Sequence, residues 1–152
     1  MLIRPDPLTG LEIRALLEEH LRHMHETSPP MSAHALDLTG LQRPDISFWT
    51  VWDGETLLGC GALKELAPDH GEVKSMRTAH SARRRGVARA MLEHIVSTAR
   101  TRGYARLSLE TGSMAAFAPA RSLYESFGFT CCAPVADHAE DPNSVFMTRA
   151  LR

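Results

Sequence analysis

Arg83-Arg84-Arg85-Gly86-Val87-Ala88 lies between a stretch that reads as a strand, Glu72 to Thr78, and one that reads as a helix, Val87 to Arg102. No other segment restricts the fold so narrowly. The helix is amphipathic, with Val87, Ala88, Met91, Leu92, Ile95, Val96 and Ala99 recurring at helical spacing, and Gly103 is its expected stop. Gly86 allows a tight backbone turn, and Ala88 is small enough for a ligand to approach. A helix that begins there leaves its first amides unpaired and turns its positive dipole end outward. That is a ready site for an anion such as a pyrophosphate, and flanking arginines can add charge-assisted bonds to phosphate oxygens. On this segment alone, surface arginines ahead of an ordinary helix remain the plain alternative.

The rest of the chain supplies strands and two further helices. Leu2 to Arg4 forms a short first strand, stopped by Pro5 and Pro7. Thr9 can cap a helix from Leu11 to Glu26, whose apolar positions are Leu11, Ile13, Leu16, Leu17, Leu21 and Met24. Ser28-Pro29-Pro30 ends it, and residues 31–45 form a loop or a short helix. Ile46 to Trp52 and Thr56 to Leu66 flank the hairpin signal Asp53-Gly54, with Gly59 and Gly61 weakening or bulging the second arm. Arg106 to Glu110 alternates as a strand, Ala115 to Phe127 is helical, and Phe129 opens another strand. Asp137 to Asn143 is a polar loop, and Ser144 to Ala150 is the last strand. The predicted order is one α+β domain over residues 1–152 around a mixed sheet.

Composition excludes several classes. The chain has 152 residues, enough for one domain with a real core. Its net charge of −1 gives no general attraction to nucleic acid or an anionic membrane, so the arginine run needs a local explanation. No apolar run reaches the roughly 18 residues of a membrane span. The N-terminus shows no secretory signal, so the mature protein is expected to begin where the sequence does. The three cysteines, Cys60, Cys131 and Cys132, lack a CxxC spacing and suit a reducing cytoplasm. Cys131-Cys132 falls within a strand and is expected to be buried and structural, since no paired base is evident. His20, His23 and His25 offer only two residues on one helical face and no third ligand, so no metal site is expected.

Arg83, Gly86 and Ala88 stand at the defining positions of a [Q/R]-x-x-G-x-[G/A] pattern. Ala120, Leu123, Tyr124, Gly128 and Phe129 stand as A-x-x-L-Y-x-x-x-G-F further on, separated from it by a helix and a strand. Together these resemble the GCN5-related N-acetyltransferase (GNAT) family over essentially the whole chain, and most strongly over residues 72–129. Gly71-Glu72-Val73-Lys74-Ser75-Met76 and Leu109-Glu110-Thr111-Gly112 resemble a branch of small bacterial acetyltransferases. Phe117 departs from the family, which often has Asn at that position.

The resemblance implies an α+β GNAT fold, a six- to seven-stranded mixed sheet splayed between strands 4 and 5 with helices on both faces. It implies acetyl-CoA as cosubstrate, with the amides of Arg84, Arg85, Gly86, Val87 and Ala88 cradling its pyrophosphate beside Arg83. Met76 and Thr78 would pair with the pantetheine arm through their backbone. The Met76 amide would polarise the thioester carbonyl, and Tyr124 would protonate the departing sulfur. Tyr124 also reads as an aromatic core residue. An amine must lose a proton before it attacks, and Glu72, eleven residues before Arg83, is the expected base. The competing reading of Glu72 is an exposed carboxylate paired with Lys74. Glu110 is the reserve base, or else a supporting hydrogen-bond acceptor. His25, Ser28, His34, Trp49, Glu110 and Asn143 are candidates for holding the acceptor.

Three functions compete at this point. The first is direct acetyl transfer to a primary amine of a small molecule, with a protein amine as the variant. The second is a non-catalytic CoA-binding module, against which Glu72 and Tyr124 together argue. The third, a nucleic-acid-binding domain using Arg83 to Arg85, conflicts with the near-neutral charge. Partners implied are the amine acceptor and, as an option, a second copy in a homodimer.

Overall fold

Alternation and turns produce a sheet whose one parallel contact organises everything else. The computed structural model describes residues 1–27, 38–135 and 138–151. Its strands are β1 (Leu2–Pro5), β2 (Ile46–Asp53), β3 (Thr56–Ala67), β4 (His70–Thr78), β5 (Arg106–Gly112), β6 (Thr130–Cys132) and β7 (Ser144–Ala150). Its helices are α1 (Leu11–Thr27), α2 (Leu38–Leu41), α3 (Val87–Thr101) and α4 (Ala118–Ser126). The seven strands lie in the order β1-β2-β3-β4-β5-β7-β6. Short turns make β2, β3 and β4 antiparallel neighbours, whereas β4 reaches β5 through α3, and that crossover makes the pair parallel.

The sheet is covered on both faces by separate apolar clusters. On one side Val87, Met91, Leu92, Ile95, Val96 and Ala99 of α3 pack with Val73, Leu107, Leu109, Tyr124 and Phe129. On the other, Ile13, Leu16 and Leu17 of α1 pack with Leu8, Phe48, Cys60 and Ala62. Alternation along the strands is what feeds both, since neighbouring side chains leave opposite faces.

Three expectations are corrected. Leu11 is 82% exposed, so the buried face of α1 begins at Ile13. The first helical bond runs from the Arg14 amide to the Gly10 carbonyl at 3.3 Å, so Gly10 rather than Thr9 holds the capping position. Cys131 is exposed and Cys132 half-buried, because β6 is the outermost strand and pairs only with β7.

Candidate active site

Pairing between β4 and β5 runs from His70↔Arg106 to Val73↔Leu109 and goes no further, although β4 continues to Thr78 and β5 to Gly112. The two strands therefore part, and the backbone of β4 beyond Val73 faces a gap. The Ala79 amide bonds the Leu58 carbonyl at 2.7 Å, on the β3 side. Alternation then aims the amides of Met76 and Thr78 away from β3, into that gap.

A bulge decides which side chains enter it. The β3–β4 register slips between Cys60 and Ala62, and Ser75 on the facing strand has φ 54°. The extra residue resets the alternation, so Lys74 and Arg77 both leave by the α1 face while Met76 packs against the α3 cluster. Gly61 stands opposite, and a Cβ there would come within 2.9 Å of the Met76 sulfur. Gly61, expected from sequence to weaken or bulge its strand, stands at the register slip and leaves the space Met76 fills.

The gap opens on the α3 side into a cleft of about 700 Å³. Met76, Thr78, Arg83, Arg84, Gly86, Val87 and Ala88 line it, as do Arg89, Phe117 and Tyr124. No acidic side chain is among the lining residues. Gly86 caps α3 at φ 79°, and Arg84 also has positive φ, at 65°. The first helical bond is Ala90 to the Gly86 carbonyl, so the amides of Arg84 to Arg89 donate to no backbone carbonyl among the described residues. Successive unpaired amides at a helix N-terminus, with arginines beside them, form a concave anion site. The residues present thus fit a phosphorylated cosubstrate. Arg85 does not line the cleft; its guanidinium lies 3.2 Å from Asp53 at the β2–β3 turn.

Tyr124 lines the cleft and is 8% exposed, with its ring edge-on to Phe129 at 5.9 Å. Burial pushes its phenol up to about 12, and its hydroxyl has no hydrogen-bond partner among the described residues. It is both core residue and cleft wall. Phe117, at the position where the family often has Asn, packs its ring over Gly112, where a Cβ would clash with that ring. Arg121, not singled out from sequence, donates to the Gly112 and Met114 carbonyls at 2.6 and 2.9 Å and ties α4 to the end of β5.

On the opposite face of the same seam sits a polar cluster. Glu72 is 2% exposed; its Oε1 lies 3.3 Å from Lys74 Nζ and its Oε2 lies 3.2 Å from His138 Nε2. The pair with Lys74 is present, and the carboxylate is buried rather than exposed. His138 Nδ1 is 3.7 Å from Glu110 Oε1, and Glu110 Oε2 accepts from Ser144 Oγ at 2.6 Å. Glu72 and Glu110, named separately from sequence, are thus brought together by a histidine that sequence reasoning missed. No spacing announces His138, since it arrives on the loop before β7.

The remaining acceptor candidates scatter. Asn143 is near the cluster, its amide on Asp141 at 2.8 Å and its carbonyl accepting from Ser113 at 3.0 Å. Trp49 is 6% exposed in the α3-side core, edge-on to His94 at 4.8 Å, and does not line the cleft. His25 falls near the end of α1, and Ser28 and His34 lie outside the described residues. Cys60 is fully buried among the α1-side residues, and burial pushes its thiol up to about 12. Among the described residues, no three His, Cys, Asp or Glu side chains are grouped to hold a metal ion. No described helix is long and apolar enough to cross a membrane.

A sheet parted between two parallel strands, with an anion cradle on the helix that follows the first, is the arrangement that the resemblance to an acyl-group transferase family implied. Residues 12–129 match the model of the Acetyltransferase (GNAT) family, and the chain belongs to that family. YsnE of Bacillus subtilis, described as an uncharacterized N-acetyltransferase, is 60% identical over 99% of this chain and 100% of its own length. YedL of Escherichia coli, described in the same words, is 48% identical over 98% of this chain and 94% of its own length. A solved aminoglycoside 6'-N-acetyltransferase complexed with coenzyme A shares the fold, with TM-score 0.72 at 14% identity over 100% of this chain and 98% of its own. The chain is an acyltransferase enzyme of GNAT type.

Proposed function

We propose that this acyltransferase takes its acetyl group from acetyl-CoA and transfers it directly to a primary amine of a small molecule. One observation carries the reading: the run of unpaired amides from Arg84 to Arg89 opens into the gap that exposes the Met76 and Thr78 backbone. When bound, acetyl-CoA supplies a thioester whose carbonyl carbon a neutral amine can attack. The cradle amides with Arg83 and Arg84 bind the pyrophosphate. The Met76 amide donates to the thioester oxygen as it gains charge.

Glu72 takes the proton the amine must lose. Tyr124, in the wall of the cleft, would meet the departing sulfur. A thiol's ordinary value is about 8.5, so complete transfer from a phenol at about 12 is uphill by about 5 kcal/mol. Tyr124 therefore serves first as a hydrogen-bond donor to the developing thiolate, keeping its own proton. A covalent relay has no support from the cysteines, since Cys60 is buried in the core and Cys131 and Cys132 lie on the outermost strand. A nucleic-acid role loses Arg85 to Asp53.

The test is coenzyme A release from acetyl-CoA against a panel of primary amines, run beside Glu72→Gln. Turnover that falls roughly 10²-fold in the variant, with the KM for acetyl-CoA held within about 2-fold, supports the reading. Tight coenzyme A binding without turnover on any amine would instead support a CoA-binding module, and turnover on peptide N-termini alone would move the acceptor to protein.

A further inference from the structure

Both ring nitrogens of His138 face carboxylate oxygens, Nε2 at 3.2 Å from Glu72 and Nδ1 at 3.7 Å from Glu110. A neutral imidazole carries one N–H, so it can donate to only one of the two. The groups around it come from three strands: Glu72 and Lys74 on β4, Glu110 on β5, and Ser144 on β7 holding Glu110. His70, two residues before Glu72 on the same strand, is turned to Ser108 instead, at 2.7 Å. Phe146 backs the His138 ring, with ring centroids 5.9 Å apart. Glu72 has almost no contact with solvent, and a proton it accepts needs a route out. His138 is 16% exposed and touches it.

We propose that His138 is a positioning residue for Glu72 and the outlet for its proton, a role that rests on Glu72 being the base. Glu72 Oε2 receives the proton leaving the amine nitrogen. It passes that proton to His138 Nε2, while Nδ1 gives up its own to Glu110 Oε1, which releases it to water. One proton enters the ring and one leaves; the ring recovers its first tautomer by exchange with solvent. The 3.7 Å separation is an ion-pair distance, so the second transfer follows a small ring rotation or crosses one water. Once Nε2 carries the proton, its N–H donates back to Oε2, and Lys74 at Oε1 holds the other oxygen throughout.

The experiment measures kcat, the KM for acetyl-CoA and the pH profile for His138→Gln and His138→Ala, with the panel amine that wild type acetylates fastest. Both variants are expected to lose on the order of 10²-fold in kcat with little change in KM, because general acid–base steps contribute on that scale. The rise of kcat with pH expected of wild type should flatten in both variants, since the cluster must shed its proton before it accepts another. Free imidazole should restore a large part of the His138→Ala rate and none of the His138→Gln rate, whose side chain fills the space. Wild-type rates in His138→Gln, or no imidazole rescue of a folded His138→Ala, would overturn the outlet role. Should His138→Ala fail to fold, His138→Gln and its pH profile decide alone. Glu72→Gln run in parallel separates the two ideas: wild-type rates there remove the base beneath this inference, whereas a slow Glu72→Gln beside fast His138 variants removes only the inference. Absence of turnover on every amine removes both.

Discussion

Gly61 and Met76 share one space: a Cβ on Gly61 would stand 2.9 Å from the Met76 sulfur and 2.6 Å from Cγ of Met91. Met76 is brought there by the bulge at Ser75, and its amide faces the open seam. Gly61→Ala should therefore disturb packing and backbone together. Overpacking of this kind costs about 1–3 kcal/mol. The expected pattern is a lower urea midpoint and a kcat that falls more than the KM for acetyl-CoA rises. Met91→Ala alone empties core volume and costs about 2–5 kcal/mol, but the double variant should lose less than the sum of the two, because the new methyl takes up part of the space vacated. Single and double variants that simply add would show that the two sites do not share space.

Gly86 is required by its backbone and by nothing else. It has φ 79°, and no atom lies within 4 Å of where its Cβ would be. Gly86→Ala thus meets no clash, only the cost of a left-handed conformation, about 1–2 kcal/mol. Relief of that strain would turn the Val87 and Ala88 amides out of the cradle. The KM for acetyl-CoA should rise while kcat at saturation stays near wild type. Gly86→Asn, which tolerates the same φ, should raise KM less. Equal KM values in all three proteins would take the cradle out of cosubstrate binding.

The elements and their order were readable because each strand and helix carries its own periodicity, and Gly86 with the α3 pattern located the cleft. Glu72 and Tyr124 were readable only as positions in a motif. Sequence could not tell that Glu72 is buried, because its burial comes from β5, β7 and the loop before β7 rather than from its neighbours in the chain. His138 was invisible for the same reason. The bulge at Ser75 had one local trace, Gly61 in the facing strand, yet a glycine in a strand does not say which partner residue it makes room for. Cys131 was misjudged because strand content was legible and edge position was not: that β6 lies outside β7 is a property of the sheet order.

Tyr124 joins the α3-side core to the wall of the cleft, and the two roles separate by substitution. Tyr124→Phe keeps the ring against Phe129 and removes the hydroxyl, which has no hydrogen-bond partner among the described residues. Stability should change by well under 1 kcal/mol, since no buried partner is left stranded. Removing one hydrogen bond to a developing charge typically costs on the order of 10²-fold in rate, and kcat should fall by that much. The phenol stays protonated far above neutrality, so wild type should show no loss of activity from this residue anywhere between about pH 6 and pH 10. An unchanged kcat in Tyr124→Phe would leave Tyr124 as packing alone.

Cys60 makes stability fall at alkaline pH, and the sign follows from where its proton is held. Burial raises the thiol from 9.0 to about 12, whereas the unfolded chain releases that proton near the ordinary value. Between those limits the folded state binds more protons than the unfolded state, so stability declines as pH rises. The contribution is complete below about pH 9 and shrinks towards pH 12, by up to about 4 kcal/mol if the full shift is realised. Its Sγ also lies 3.3 Å from the Ser75 carbonyl, next to the bulge that aims Met76. Urea midpoints at pH 7.0 and pH 10.5 should therefore differ more in wild type than in Cys60→Ala, while Cys131→Ala, on the exposed edge, should track wild type. Tyrosines and lysines titrate in the same range, but they are common to all three proteins and cancel in the comparison. Identical pH slopes in wild type and Cys60→Ala would mean that the Cys60 thiolate is reached by solvent in the folded chain.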